Sequence, residues 1–487
     1  MTHSQTQVRS RSALTGDNPG MSIRYLSDLA VGPRDSHTVS PAALRHAALC
    51  VLMGAALNTG LSLTRAQAQA PVGASAARQV SPDSVQELSI EQVLQAAGLN
   101  LDVAVARREY EAAQADIVAA DHAPLPVLSA KAGSIDLQNG VGAGPLFQQK
   151  RIDKSVGLDW TWERGNKRAL RTQTSRLSAQ AAQADWQDMV TAQRILALQV
   201  FYDWLATHQR VGEMQGIASS TQALAQAAQR RLQAGDLSAQ DAARTDIEAA
   251  RAQADARQAA LDRQRAALAL APLIHMRGNP LQWRPKAAWP TATVQSEAVQ
   301  QAQARLDDLV EQRPDIRAAR ERAQAAQSAL ELARAQKSTD LTWGGSVDHF
   351  PSTTGTTARQ MELRLQLPLQ WGYSYEGEIG RAAALQAQSQ DWLERARLQA
   401  RTELQGLLQV WENASERFHA FEQDILPRAR RVAQQAELAY TQGALSLTDL
   451  LDARRTLRTI QLDAITAQAD LAKAQGTWQL RTTPPAP

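Results

Sequence analysis

QAGDLSAQDAARTDIEAARAQADA, residues 233–256, and QGALSLTDLLDARRTLRTIQLDA, residues 442–464, are two renderings of one turn. Their shared skeleton, G-x-L-S-x-x-D, sets Gly235 beside Gly443, Leu237 beside Leu445, Ser238 beside Ser446 and Asp241 beside Asp449. Gly takes the left-handed conformation that ends a helix. A Ser three residues later caps a new helix by accepting a hydrogen bond from an orphan backbone N–H. An Asp in the next first turn suits the positive end of the helix dipole. Alanine- and glutamine-rich stretches flank both turns, so each reads as helix, tight break, helix.

The repetition extends well beyond the turns. Asn100-Leu101-Asp102-Val103 is echoed by Arg313-Pro314-Asp315-Ile316, and Ala132-Gly133-Ser134-Ile135-Asp136 by Gly344-Gly345-Ser346-Val347-Asp348. Asp185-Trp186 returns as Asp391-Trp392, and Trp204 as Trp411. The separations run from 206 to 213 residues. Such markers in one order indicate a duplicated unit of roughly 200 residues. The first unit spans residues 85–275, a connector covers 276–298, and the second unit spans 299–480.

Each unit predicts the same elements. A helix comes first, Ile90 to His122 and Val299 to Lys337. Two strands follow, Val127–Leu137 with Ser155–Trp162, and Leu341–Phe350 with Gln360–Leu369. A long helical tract then runs to the turn and continues past it. From Lys167 to Leu232 such a helix is ~100 Å long at 1.5 Å per residue, a rod that no compact soluble domain needs. Low aromatic content, 5%, and a mean hydropathy of −0.37 suit long helices packed along narrow seams.

The strand pairs bring in a membrane. VGLDWTW and MELRLQLPLQW alternate in character and end in aromatics, and the loops QNGVGAGP and PSTTGTTA separate the members of each pair. Short alternating segments with aromatic ends are the signature of transmembrane β-strands; two soluble hairpins are the alternative. Trp160, Trp162, Trp343, Trp371, Tyr373 and Tyr375 are candidates for an interfacial girdle. A lipid-embedded sheet must close, and four strands are fewer than the eight of the smallest barrels. Spanning strands here imply a barrel shared between subunits.

Arg45 and His46 precede the apolar run Ala47–Leu57, and A-x-A sites follow at Ala66–Ala68 and Ala68–Ala70. This is the order of a secretory signal peptide, with cleavage after Ala68 preferred and Met21 an alternative start. The only cysteine, Cys50, lies inside it and leaves with it, or is lipidated, although its neighbours lack the lipoprotein pattern. A cysteine-free exported chain is held by packing alone. Residues 1–70 carry six Arg and three Asp, which leaves 46 basic and 46 acidic residues in the remainder. The net charge of the remainder is then zero, so the sequence pI of 9.1 gives no support to a nucleic-acid partner.

An exported chain with two such repeats resembles the TolC family of outer-membrane efflux ducts. The resemblance covers about residues 85–480 and rests on R-L-x-x-G-x-L-S-x-x-D at Arg231–Asp241 and Y-x-x-G-x-L-S-x-x-D-L-L-D-A at Tyr440–Ala453. It implies a mostly α fold with a small membrane β-barrel. In a homotrimer, four strands per subunit close a twelve-stranded barrel, and long helices form a periplasmic coiled-coil tunnel. The implied partners are a periplasmic adaptor (membrane fusion) protein, an inner-membrane efflux transporter and outer-membrane lipid. Location in the outer membrane, no cofactor and no catalysis follow from the same likeness.

The resemblance also assigns roles. Gly235, Leu237, Ser238, Gly443, Leu445 and Ser446 become adaptor-docking tips, and Asp449 and Asp452 a periplasmic gate and selectivity ring. Asp449 and Asp452 lie at i and i+3 on one helical face. Six carboxylates in a trimer repel one another and favour cations. Tyr440 and Asp241 match a hydrogen-bonded latch of the closed channel, while Leu445 stands where the best-known pattern has a basic latch residue. ERGNKRALR, Glu163–Arg171, and YEGEIGRA, Tyr375–Ala382, look more like the heavy-metal branch than the drug-efflux branch. Heavy-metal cations are therefore the expected cargo, with a general drug-efflux or secretion duct as the alternative.

Other classes fare worse. There is no phosphate-cradling glycine loop, CxxC or HExxH, and His122, His208, His275, His349 and His419 lack metal-binding spacing. An adaptor would flank one hairpin with β-domains, whereas this chain has two hairpins and little strand. A soluble periplasmic coiled-coil scaffold is the remaining alternative from a different class.

Overall fold

The structure, a computed structural model, describes residues 86–483 apart from 139, 146–150, 277, 287–288, 291–295 and 352–357. The signal peptide, Cys50, the N-terminal extension 1–70 and residue 85 lie outside the described residues, as does most of the PSTTGTTA loop. Strand β1, Glu87–Leu88, leads into helices α1, Ile90–Ala97, and α2, Leu101–Ala120. Strands β2, Val127–Gly133, and β3, Asp153–Trp162, precede helix α3, Lys167–Ala234, and helix α4, Ala239–Ile274. A short β4, Arg284–Pro285, pairs in parallel with β1. Then come α5, Ser296–Ala304, α6, Leu306–Gln312, α7, Pro314–Ala335, and strands β5, Leu341–Phe350, and β6, Ala358–Gln366. Helix α8, Glu376–Ala420, a π-turn at Phe421–Ile425, α9, Leu426–Thr441, and α10, Leu447–Thr482, close the chain.

Both opening helices differ from expectation. The predicted helix Ile90–His122 is broken after Ala97, where the Asn100 side chain accepts from the Val103 N–H and starts a new helix. The predicted helix Val299–Lys337 is three helices, because Arg313 is extended before Pro314, which opens α7 at N1. The second long tract is also interrupted. Pro427 has no N–H to continue the ladder, and the chain takes up the defect as the π-turn just before it. By contrast α3 is one helix of 68 residues, about 100 Å long.

The core lies where α3 crosses α1, α4 and the end of α10. Phe201, Trp204, Leu205, Leu270 and Ile274 are buried there with Leu88, Val93 and Trp283. The second repeat has its own cluster, in which Trp411 stacks on Trp478 at 6.2 Å among Leu404, Leu408, Ile316 and Leu471. Trp204 and its echo Trp411 thus anchor corresponding cores, each burying a large aromatic surface. Strands β2, β3, β5 and β6 form one antiparallel sheet in that order, with β2 and β6 as its edges. Among the described residues no helix is long and apolar enough to cross a membrane.

Candidate functional site: the paired turns and the sheet

The two G-x-L-S turns are built alike. Gly235 has φ 83° and Gly443 φ 74°. The N–H of Gly235 reaches Leu232 O and that of Asp236 reaches Arg231 O; Gly443 and Ala444 repeat the pattern onto Tyr440 O and Ala439 O. This is the double closure of a Schellman end. Ser238 Oγ accepts from the Asp241 N–H at 3.1 Å and donates to the Asp241 carboxylate at 2.8 Å. Ser446 does the same with Asp449, at 3.2 and 2.7 Å. The outer surface of each turn is open: Gly235, Ser238, Gly443 and Ser446 are exposed, and Leu237 and Leu445 are half-buried. The leucines occupy the N′ position of a hydrophobic staple.

Two arginines lace one turn to the other. Arg231 Nη1 donates to Tyr440 Oη at 3.2 Å, its guanidinium lying 5.8 Å from the ring centroid. Arg244 Nη1 donates to Thr448 Oγ1 at 3.1 Å and lies 4.0 Å from Asp241. Within the chain Tyr440 and Asp241 are therefore not joined to each other; each faces an arginine. Sequence reasoning assigned no role to either arginine, although Arg231 is the first residue of the quoted motif.

Asp449 and Asp452 differ in surroundings. The Asp449 carboxylate is tied to its own helix cap, whereas the Asp452 side chain is 63% exposed with Arg455 Nη1 at 3.3 Å. Arg455 also pairs with Glu248 on α4, and the hydrogen bond and charge of Glu248 raise the guanidinium's pKa further. Arg458 pairs with Asp255, and Arg454 with Glu437 at 2.6 Å. This ladder fixes α10 against α4 and α9.

The sheet separates its residues by chemistry. Val156 faces Val347, Leu158 faces Gly345 and Trp160 faces Trp343, with Met361, Leu363 and Leu365 next along β6. Alternation puts all of these on one face. Ser155, Asp159 and Thr161 take the other, opposite Asp348, Gly344 and Thr342, with Glu362 and Arg364 beyond. Arg364 pairs with Asp159 at 3.0 Å on that polar face. Trp160 stacks on Trp343 at 6.3 Å, and Trp162 lies on the same face at the helix-proximal end. Trp371, Tyr373 and Tyr375 follow β6 outside the strand; Trp371 and Tyr373 are exposed, and Tyr375 is half-buried. An apolar face with aromatics at one end, a polar face and two free edges suit a lipid-embedded barrel segment.

Residues 294–479 match the sequence model of the outer membrane efflux protein family. In three dimensions the chain is similar to CusC, at a TM-score of 0.65, 16% identity and coverage of 81% of this chain and 91% of that one. A membrane protein from Pseudomonas aeruginosa gives 0.66, 16%, 81% and 93%. VceC, an outer membrane protein of Vibrio cholerae, gives 0.65, 17%, 81% and 95%. The fold is that of the outer-membrane efflux channels. No curated protein matches the sequence.

Within the channel fold, ERGNKRALR is a joint. Lys167, with 5% of its side chain exposed, donates to Asp340 at 2.8 Å, and the Arg164 N–H donates to the same oxygen. Arg168 pairs with Asp121 at 2.9 Å. Arg171 binds Glu163 and the Ala120 and His122 carbonyls. The Glu163 hydrogen bond outweighs burial and raises the Arg171 pKa. Gly165, at φ 75°, lets the chain pass Ser338. These basic residues tie the strand pair to the helices; they are not a free basic face.

A second cluster escaped the sequence reading. Arg313 binds Asp315 at 2.7 Å and Glu403 at 2.8 Å, and Arg481 binds Glu403 at 3.0 Å and Asp188 at 2.7 Å. Burial works against the charged forms of Asp315 and Glu403, but Arg313 prevails and both carboxyls sit below their usual range. At Asp188 burial wins, and its pKa rises despite Arg481. The only sequence signal was the echo of Asn100 in Arg313. Both begin a helix, and both reach the neighbouring long helix, Asn100 through Gln193 and Arg313 through Glu403.

Proposed function

We propose that the chain is the outer-membrane duct of a tripartite efflux system, a passive conduit for cargo handed over by an inner-membrane transporter through a periplasmic adaptor. The observation that carries this reading is the register of the four-stranded sheet. It divides apolar from polar residues strand by strand and leaves both edges open, so closure requires further copies of the chain. Three copies give a twelve-stranded barrel in the outer membrane. The long helices then extend into the periplasm as a tunnel, with each chain contributing two repeats, residues 85–275 and 299–480.

The exposed turns at Gly235–Ser238 and Gly443–Ser446 are the adaptor-docking tips in this reading, and Asp449 and Asp452 ring the mouth of the tunnel. Arg231 on Tyr440, and Arg244 on Thr448 with Asp241 beside it, hold neighbouring coils together at rest. The arginines meet Tyr440 and Thr448, which flank Leu445 in the sequence of the second turn. Heavy-metal cations are the proposed cargo, on the likeness of ERGNKR and YEGEIGRA to that branch; organic compounds are the alternative.

Fractionation tests the location first. A heat-sensitive trimer in the outer membrane is expected, whereas a soluble periplasmic protein would return the chain to the scaffold class. A deletion strain challenged with zinc, cobalt, cadmium and copper salts, and with dyes, detergents and antibiotics, tests the cargo. Sensitivity to metals alone is expected; sensitivity to organic compounds alone would replace the metal reading.

A further inference from the structure

The apolar face of the sheet ends in a row of basic side chains. In the register Lys154 faces His349, and His349 faces Arg359. Their parity is that of Val156, Val347 and Met361, so all three belong to the apolar face. They lie at the end remote from the helices, because Trp162 leads into α3 and Leu341 follows α7. The Trp160–Trp343 row is roughly 20 Å away at ~3.3 Å per residue. A lipid-facing band about 25 Å tall therefore has its aromatic rim at one end and this row at the other.

Among the described residues none of the three has an ion-pair or side-chain hydrogen-bond partner. Lys154 Nζ and His349 Nε2 are shielded from solvent without making a hydrogen bond. The carboxylates next to them in sequence, Asp153 and Asp348, alternate to the other face. There they accept from Ser134 and Ser346. Cations on a lipid-facing surface are tolerated at the interface and sought out by anionic headgroups. Lys154 to Arg359 spans two strand spacings, ~10 Å, a width suited to two phosphates on one headgroup.

We propose that Lys154, His349 and Arg359 form a binding site for the phosphate groups of an anionic glycolipid in the outer leaflet. The inference rests on the outer-membrane reading above. The occupant is a lipid, not free phosphate, because Val156, Val347 and Met361 continue directly beneath the row as a surface for acyl chains.

The test uses the full chain purified from membranes, delipidated in detergent and followed by native mass spectrometry. The probes are a bisphosphorylated glycolipid, the same glycolipid after phosphatase treatment, and inorganic phosphate. The bisphosphorylated form is expected to bind about tenfold or more tighter than the dephosphorylated form, as charge-assisted contacts require. Lys154→Gln with His349→Gln and Arg359→Gln should erase that difference, while Lys131→Gln on the polar face leaves it intact. Millimolar inorganic phosphate should fail to displace the lipid. Equal glycolipid affinity in the wild type and the triple variant, or ready displacement by inorganic phosphate, overturns the proposal. Should the triple variant not fold, Lys154→Gln and Arg359→Gln singly must each weaken binding, and unchanged binding in both is equally fatal. Fractionation and bilayer conductance of the wild type separate the two readings: a conducting outer-membrane protein whose lipid binding ignores these residues defeats this inference alone.

Discussion

Two glycines with nearly the same backbone carry different burdens. Gly235 has φ 83° and Gly165 φ 75°, but a Cβ at Gly235 meets open space, whereas one at Gly165 falls 2.7 Å from Ser338 Cβ. Gly235→Ala should then cost only the left-handed penalty, about 1 kcal/mol. Gly165→Ala adds a clash with the second repeat and should cost about 2 kcal/mol or more. Denaturant midpoints read from helical circular dichroism check this, and equal midpoints would show that the joint yields freely. The contrast marks what sequence can reveal. Gly235, Ser238 and Asp241 were legible because a Schellman end and a cap are made by residues a few positions apart. Gly165 sits in an equally local turn, but the reason for its identity lies in the turn between α7 and β5 of the other repeat. The Arg231–Tyr440 and Arg244–Thr448 contacts were hidden for the same reason.

At the scale of elements, the long rods were legible and their joints were not. Alanine-rich periodicity placed α3 within two residues of its end, yet the breaks at Asn100 and Arg313 and the π-turn before Pro427 depend on what each helix meets. The Arg313 cluster shows how strongly such joints are held. Arg313 is only 2% exposed, and removing it strands Asp315 and leaves Glu403 with Arg481 alone. Arg313→Ala should cost about 3 kcal/mol, the low end for a broken buried pair, because Glu403 remains 42% exposed. The cluster also sets a pH dependence. Asp315 and Glu403 have folded pKa values below their unfolded ones. Their stabilisation is complete above roughly pH 4–5, the unfolded range, and is lost as pH falls through the lower folded values. Asp188 is raised and works the other way: its cost is felt above its folded pKa and relieved as pH falls below the unfolded value. The two limbs oppose each other in acid, and the expectation follows Asp315 and Glu403, the pair that Arg313 holds. Thermal melts of the wild type should fall below about pH 4, and Arg313→Ala should flatten that fall. A wild-type profile without an acid limb would remove the cluster from the account.

For the whole molecule, the proposed duct makes the duplicated turns the place where opening and ion preference are tested. The two acidic positions at the proposed mouth are unequal. The Asp449 carboxylate accepts from Ser446 Oγ in the first turn of α10, so neutralising it weakens that start by about 0.5 kcal/mol. Asp452 is largely exposed and shares Arg455 with Glu248, so its charge is the one a passing ion would meet. Three copies within a Debye length of ~8–10 Å of one another create a local potential of a few kT that favours cations. Asp452→Asn should therefore lower the cation preference severalfold in planar bilayers under a salt gradient and leave stability nearly unchanged. Asp449→Asn should shift stability more than reversal potential. Opening is read from the other contact. Tyr440→Phe removes the hydroxyl that Arg231 reaches but keeps the ring beneath its guanidinium, whereas Arg231→Ala removes both. If these residues hold the resting coils together, open probability should rise in the first variant and further in the second, with single-channel selectivity still set by Asp452. Identical gating in all three proteins would place the restraint elsewhere, and a reversal potential indifferent to Asp452 would move the ring off α10.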